Sequence, residues 1–207
     1  MNLIPQFPLN LVVFPKEQLN LHIFEKRYQQ LISDCFSQDL PFGVPVIQKK
    51  QPLQIGTTVK VVEIDRQYAD GRMDIITKGI QSFTISSYAD PLPGKLYAGA
   101  EITYQNYTDN PDFLKSKEII KLVKRLYVVM KVKQDINEDQ TSFRVYQIVH
   151  KIGLSLNQEI AILELTSELE RQQFILDHLR HMLPMVQNLD LMKKKISMNG
   201  HFKNIES

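Results

Sequence analysis

The 207-residue sequence predicts an α+β protein, with a turn-rich β half followed by a helical half. Three observations carry that prediction. Eight of the ten prolines and six of the eight glycines precede Asp109, and such residues punctuate short strands and turns. Before that point most apolar side chains fall in short runs suited to strands, and a single run has helical spacing. After it, apolar residues recur every three to four positions over long stretches, as amphipathic helices require.

In the first half, Leu9 to Phe14, Leu19 to Phe24 and Pro41 to Gln48 are short, proline-bounded strand candidates. Tyr28, Leu31, Ile32, Cys35 and Phe36 fall at i, i+3, i+4, i+7 and i+8, which places one helix among the strands. Thr57 to Gln67 reads as a strand, and Asp70-Gly71 suits the tight turn that returns it as Met73 to Ser87. Gly79 marks a bulge or bend within that return. After a turn at Pro91-Leu92-Pro93-Gly94, Leu96 to Tyr104 supplies the last strand. Five or six strands without alternating helices predict an antiparallel barrel or folded sheet.

The second half opens at Asn110-Pro111-Asp112, read as an N-cap with proline at the first helical position. The helix that follows has two apolar seams, Phe113/Ile120/Val123/Tyr127/Met130 and Ile119/Leu122/Leu126/Val129, so it should pack on more than one side. A second helix is expected over Thr141 to Ile152, closed by Gly153. Ser155 or Asn157 caps a third, and the Ser167-x-x-Glu170 box starts a fourth. Pro184 should break or kink that helix, with Leu189 to Met198 as a last short one. The expected division is a β domain over 1–107, a helical bundle over 108–198 and a frayed tail over 199–207.

Composition excludes several classes. The net charge is +2, and residues 1–105 carry 10 positive and 10 negative side chains against 15 and 13 in the remainder. No half has the basic excess of a dedicated nucleic-acid binder. No run reaches the ~18 apolar residues of a membrane helix, no secretory signal is recognisable, and the single Cys35 has no internal disulfide partner. The expectation is a soluble, cytoplasmic protein in a reducing compartment, with no membrane partner and no cofactor.

Catalytic motifs are missing. Gly94 and Gly99 have phosphate-loop spacing, but Ala100 stands where the lysine is needed. No nucleophile elbow, zinc-protease helix or dinucleotide fingerprint occurs. Cys35 lies on the apolar face of its own helix and reads as core. His178 and His181, with Asp177, are a weak metal signal, so no metal is expected. His22 should point away from the core, and His150 should lie near a helix C-terminus. Lys193-Lys194-Lys195 reads as a solvated helix end rather than a phosphate contact. Tyr88, Tyr97, Tyr104 and Tyr107 read as packing residues with a wet tip rather than base-stacking platforms.

One segment is more specific than these. Phe7-Pro8-Leu9, Phe14-Pro15 and Leu19-Asn20-Leu21-His22-Ile23-Phe24-Glu25-Lys26-Arg27-Tyr28 resemble the opening of the Lon protease N-terminal, substrate-binding domain family. Further matches are Pro41-Phe42-Gly43-Val44, Ile55-Gly56-Thr57, Asp70-Gly71-Arg72, Gly79 with Phe83, Tyr97-Ala98, Leu156 to Leu165 and Leu169-Glu170-Arg171. Ser82 departs from the family, which commonly has arginine before that phenylalanine. The resemblance implies a PUA-like β pseudobarrel with one inserted helix, followed by a C-terminal helical bundle. These residues hold neither an ATPase module nor a Ser-Lys protease domain, so the expectation is a stand-alone, non-catalytic member.

What the resemblance implies for function is a module that recognises unfolded or extended polypeptide, as a substrate-recognition or adaptor protein serving a separate protease. The alternatives are an RNA-binding PUA-like protein and a peptidase or hydrolase with an unrecognised site. Lys26, Arg27 and Tyr28, where strand turns to helix, are the candidate peptide contacts. Pro8, Leu9, Phe14, Pro15, Phe24, Glu25, Phe42 and Gly43 read as mainly structural. Pro8 and Pro15 would confine their strand to an edge, Glu25 would favour the helix dipole, and Phe14, Phe24 and Phe42 would fasten the core. Oligomeric state is left open.

Overall fold

A computed structural model describes residues 3–48 and 51–202, with side chains through Ile196. The chain forms two units, Met1–Tyr107 with Ser155–Thr166, and Thr108–Leu154 with Ser167–Ser207.

The first unit contains β1 (Ile4–Gln6), β2 (Gln18–Ile23), α1 (Lys26–Ser37), β3 (Phe42–Gln48), β4 (Gln51–Gln67), β5 (Met73–Ala89) and β6 (Ala98–Tyr104). The strand order is β2-β5-β4-β3-β1-β6, and β6 pairs again with β5. That last pairing closes five strands into a ring and leaves β2 outside it. The sheet is mixed rather than wholly antiparallel, because β1 runs parallel to β3 with Gln6 opposite Gly43. The long β4–β5 hairpin turns at Gly71, whose φ of +88° is open to glycine without strain. Register shifts beside Gly79, where Thr58 faces Gln81 but Val59 faces Gly79. A Cβ on Gly79 would meet the Phe14 carbonyl oxygen, so a close approach of two backbones sets the residue there.

Leu9 to Phe14 is not a strand. Val12, Val13 and Phe14 are buried in succession. Side chains serve their backbone instead: Thr57 Oγ1 donates to the Val13 carbonyl (2.5 Å) and Phe14 N donates to Glu17 Oε2 (2.8 Å). An isolated bridge, Leu9 to Val46, also joins the segment to the sheet. Pro8 and Pro15 therefore edge no strand. The core gathers Phe7, Val13, Ile23, Leu31, Ile32, Cys35, Phe42, Val44, Val59, Ile75 and Tyr97. α1 contributes Leu31, Ile32 and Cys35, as its spacing predicts.

α3 (Leu156–Glu164) groups with this unit rather than with the helical part, to which the sequence boundary at 107 assigned it. Ser155 and Gln158 form its capping box, and Asn157 Oδ1 accepts from Gln48 Nε2 (2.5 Å).

The second unit is built on α2 (Phe113–Met130) and α4 (Glu168–Phe202). The α2 N-cap is Asp112, which accepts from Lys115 N (2.9 Å), and not Asn110. Asn110 Oδ1 instead accepts from Leu169 N (3.4 Å), an otherwise orphan donor at the start of α4. Phe113 and Met130 of the predicted seams are exposed, while Ile119, Ile120, Val123, Leu126 and Tyr127 are buried. The helix expected over 141–152 is replaced by two 3-10 turns, Val145–Gln147 and Val149–Lys151. This stretch is rich in β-branched residues. Buried Glu168 accepts from Val145 N (2.7 Å), and Arg171 lies 4.2 Å from the centre of the Tyr146 ring. His150 therefore lies within a 3-10 turn and not near the end of an α-helix. α4 runs through Pro184 unbroken and absorbs the separate helix expected over 189–198. Residues 199–202 of the expected tail are helical, and 203–207 lie outside the described residues.

Candidate functional site

The signature residues divide sharply. Phe14 and Phe42 are fully buried, and Phe7 packs on Tyr28 with ring centroids 4.1 Å apart. Leu9 packs against the same core. A Cβ on Gly43 would overlap the far end of the Gln6 side chain, which would have to move. Phe24 contradicts its expected role: it is 62% exposed. The physical reason is parity. Leu19, Leu21 and Ile23 face the core from β2, so His22 and Phe24 face outward. Their rings stack at 6.3 Å, and Tyr68 meets His22 edge-on at 6.0 Å. The same alternation, read from Leu19 onward, was the sequence signal for an exposed Phe24.

His22 is exposed, as expected, and its Nδ1 lies 2.6 Å from Asp74 Oδ1. Glu25 occupies the α1 N-cap without a side-chain cap bond, and pairs with Arg27 Nη2 at 2.8 Å instead.

The three candidate contacts do not act together. Lys26 Nζ reaches the Asp70 carbonyl and Gln29 Oε1, each at 3.2 Å. Arg27 and Tyr28 lie side by side, the guanidinium carbon 4.5 Å from the tyrosine ring centre. Both line a recess with Gln6, Pro8, Tyr88, Asp90 and Ala98. Burial raises the Tyr28 phenol's pKa, against an opposing pull from Arg27. Burial, with Asp90 adding to it, pushes Tyr88 up to about 12. Both are neutral hydroxyls at physiological pH.

Gln6 lies on the buried side of the recess: it is fully buried, its Nε2 donates to the Ile4 carbonyl (2.9 Å), and its Oε1 has no partner. The Tyr28 and Tyr88 side chains, the Arg27 guanidinium and the Asp90 carboxylate give the recess a mixed aromatic and charged lining. Gln6 and Asp90 escaped sequence reasoning because neither stands in a motif, and the sheet brings them from far apart in the chain.

Cys35 is buried, and burial, with Asp34 beside it, pushes its pKa up to about 12, so the reactive thiolate is suppressed. Tyr97 is buried and donates to Asp34 Oδ2 (2.7 Å), while Tyr104 and Tyr107 are partly exposed. His178 Nε2 lies 3.1 Å from the Ile152 carbonyl, and Asp177 accepts from Gln173. Among the described residues no three His, Cys, Asp or Glu side chains are placed to hold a metal. Lys193 to Lys195 are exposed on α4, with Lys194 paired to Asp190. No described helix is long and apolar enough to cross a membrane.

Comparison with known proteins agrees with this architecture. Residues 4–181 match the family described as the ATP-dependent protease La (LON) substrate-binding domain. A Lon N-terminal domain protein from Xanthomonas campestris superposes with a TM-score of 0.67 at 21% identity, covering 86% of this chain and 98% of that one. The N-terminal domain of Mycobacterium avium complex Lon protease gives 0.63 at 13% identity, with the same coverage. No curated protein matches. With the family matched over most of its length and the fold shared, the chain belongs to the Lon substrate-binding domain family.

Proposed function

We propose that this chain is a non-catalytic module that recognises unfolded or extended polypeptide and presents it to a separate protease. The observation that carries the reading is the match of residues 4–181 to a family described as a substrate-binding domain. Phe24, Val62 and Leu96, 62%, 60% and 57% exposed, give an unfolded chain apolar side chains to meet. Arg27 and Tyr28, at the Gln6 recess, supply polar and aromatic contacts, whereas Lys26 braces the β4–β5 turn.

The test is a fluorescence anisotropy titration of the full chain against a labelled, permanently unfolded protein. Its folded form and a single-stranded RNA run in parallel at two salt concentrations. Selective binding of the unfolded chain is expected, with Arg27→Ala weakening it several-fold and Lys26→Ala leaving it unchanged. Equal binding of folded and unfolded forms, or binding of neither, would overturn the reading. Salt-sensitive binding of the RNA alone would replace it with nucleic-acid recognition.

A further inference from the structure

We infer that the outer edge of β2 takes up an extended peptide as an added strand, a conclusion that rests on the polypeptide-binding reading above. Among the described residues every other strand of the sheet has two neighbours, and β2 has one, β5. The direction of its backbone groups follows from two hydrogen bonds. Gly79 N donates to the Glu17 carbonyl (2.8 Å), and Thr77 Oγ1 donates to the Leu19 carbonyl (2.9 Å). With Gln18 opposite Lys78 and Leu19 opposite Thr77, residues 17, 19, 21 and 23 therefore turn their main-chain groups toward β5. Gln18, Asn20 and His22 turn theirs away, offering three N–H donors and three carbonyl acceptors in a row.

Open edges are ordinarily protected by charge, proline or bulges. The outer end of β4 is protected in this way. Beyond Val59, its last residue paired with β3 before the chain runs on beside β5 alone, it carries Lys60, Glu63, Asp65 and Arg66. Its register breaks twice there, between Val61 and Glu63 and between Ile64 and Arg66. β2 has none of these devices: Gln18 to Ile23 hold no Asp, Glu, Lys, Arg or Pro and pair one-to-one with β5. The same sheet thus blocks one edge and leaves the other flat.

The edge also defines its occupant. A strand added beside β2 places alternate side chains next to half-buried Leu19 and Leu21, and the others next to Gln18, Asn20 and His22. Phe24, stacked on His22 just past the strand end, offers a seat for one aromatic or large apolar side chain. The fitting ligand is an uncharged extended segment with apolar residues at every second position. A second copy of this chain paired edge to edge is disfavoured, since six residues of strand fall far short of the roughly 1,000 Å² a stable interface buries.

The experiment titrates a fluorescein-labelled decapeptide, alternating valine and threonine with one phenylalanine, into the full chain. Two further peptides carry N-methyl groups on alternate residues, in opposite phases. Strand addition predicts that one phase costs tenfold or more in affinity while the other binds nearly as the parent does. Asn20→Pro removes an outward N–H without touching the ladder to β5, and should also cost tenfold or more, with Asn20→Ala within twofold of wild type. If Asn20→Pro fails to fold, the two methylated peptides decide alone. Binding indifferent to both phases would overturn strand addition while leaving polypeptide recognition standing. No binding of the parent peptide, or of any unfolded chain, would remove both. A dimer in sedimentation velocity that Asn20→Pro dissolves would assign the edge to a second copy instead.

Discussion

At the scale of single residues, the account rests on a few polar groups held in apolar surroundings. Asp34 accepts from Lys95 Nζ and from the Tyr97 hydroxyl, each at 2.7 Å. The Lys95 bond, with Tyr97 adding to it, holds the Asp34 carboxyl below the usual range against the pull of burial. A depressed carboxylate stabilises the fold above its unfolded pKa of about 4 and loses that contribution as pH falls through the folded value. Asp34→Asn should therefore cost about 1–2 kcal/mol at pH 7 in urea unfolding, with the difference from wild type shrinking at pH 3. A difference that grew on acidification would contradict the assignment. Cys35 should stay unmodified by a thiol reagent at pH 8 until the protein unfolds, because its neighbourhood is apolar and its pKa is about 12. That burial was legible from helical spacing alone. The exposure of Phe24 was legible too, but only through the two-residue period of β2; as part of a phenylalanine-rich signature it looked like core.

At the scale of elements, backbone approach and helix continuity separate what local pattern predicts from what tertiary contact decides. The β4–β5 hairpin, its turn and the irregularity at Gly79 were readable from Asp70-Gly71 and the lone glycine. Gly79→Ala should lower stability by about 1–3 kcal/mol, since the added methyl meets main chain that has no rotamer to yield. Unchanged urea unfolding would show that the Phe14 segment shifts freely. The opposite sign is expected at Pro184, which interrupts the hydrogen-bond ladder inside α4. Pro184→Ala should stabilise by up to about 3 kcal/mol, and a loss of stability would mean that the proline is needed where it stands. The helix misread over 141–152 has apolar residues at helical spacing, but Glu168 captures the Val145 amide and holds the segment in short turns. No local signal reports a carboxylate more than twenty residues away. The α2 cap was placed at Asn110 and not at Asp112 for the same reason, as the Asn110 side chain serves Leu169.

At the scale of the whole molecule, the division into a β-rich part and a helical part was visible in the distribution of proline and glycine. The ring closure was not. It depends on β1, three residues long and too short for a period, lying parallel to β3 and antiparallel to β6. The Gln6 recess and the open β2 edge were equally hidden, since both follow from which strands are neighbours rather than from any motif. The family resemblance supplied the function class, and the open β2 edge is the place proposed for it. Residue-resolved amide exchange of the full chain, alone and with a permanently unfolded polypeptide, tests this most directly. Slower exchange at Gln18, Asn20 and His22 with the unfolded chain, and none with its folded form, is the predicted result. Equal effects of the two forms, or protection confined to other residues, would contradict the account.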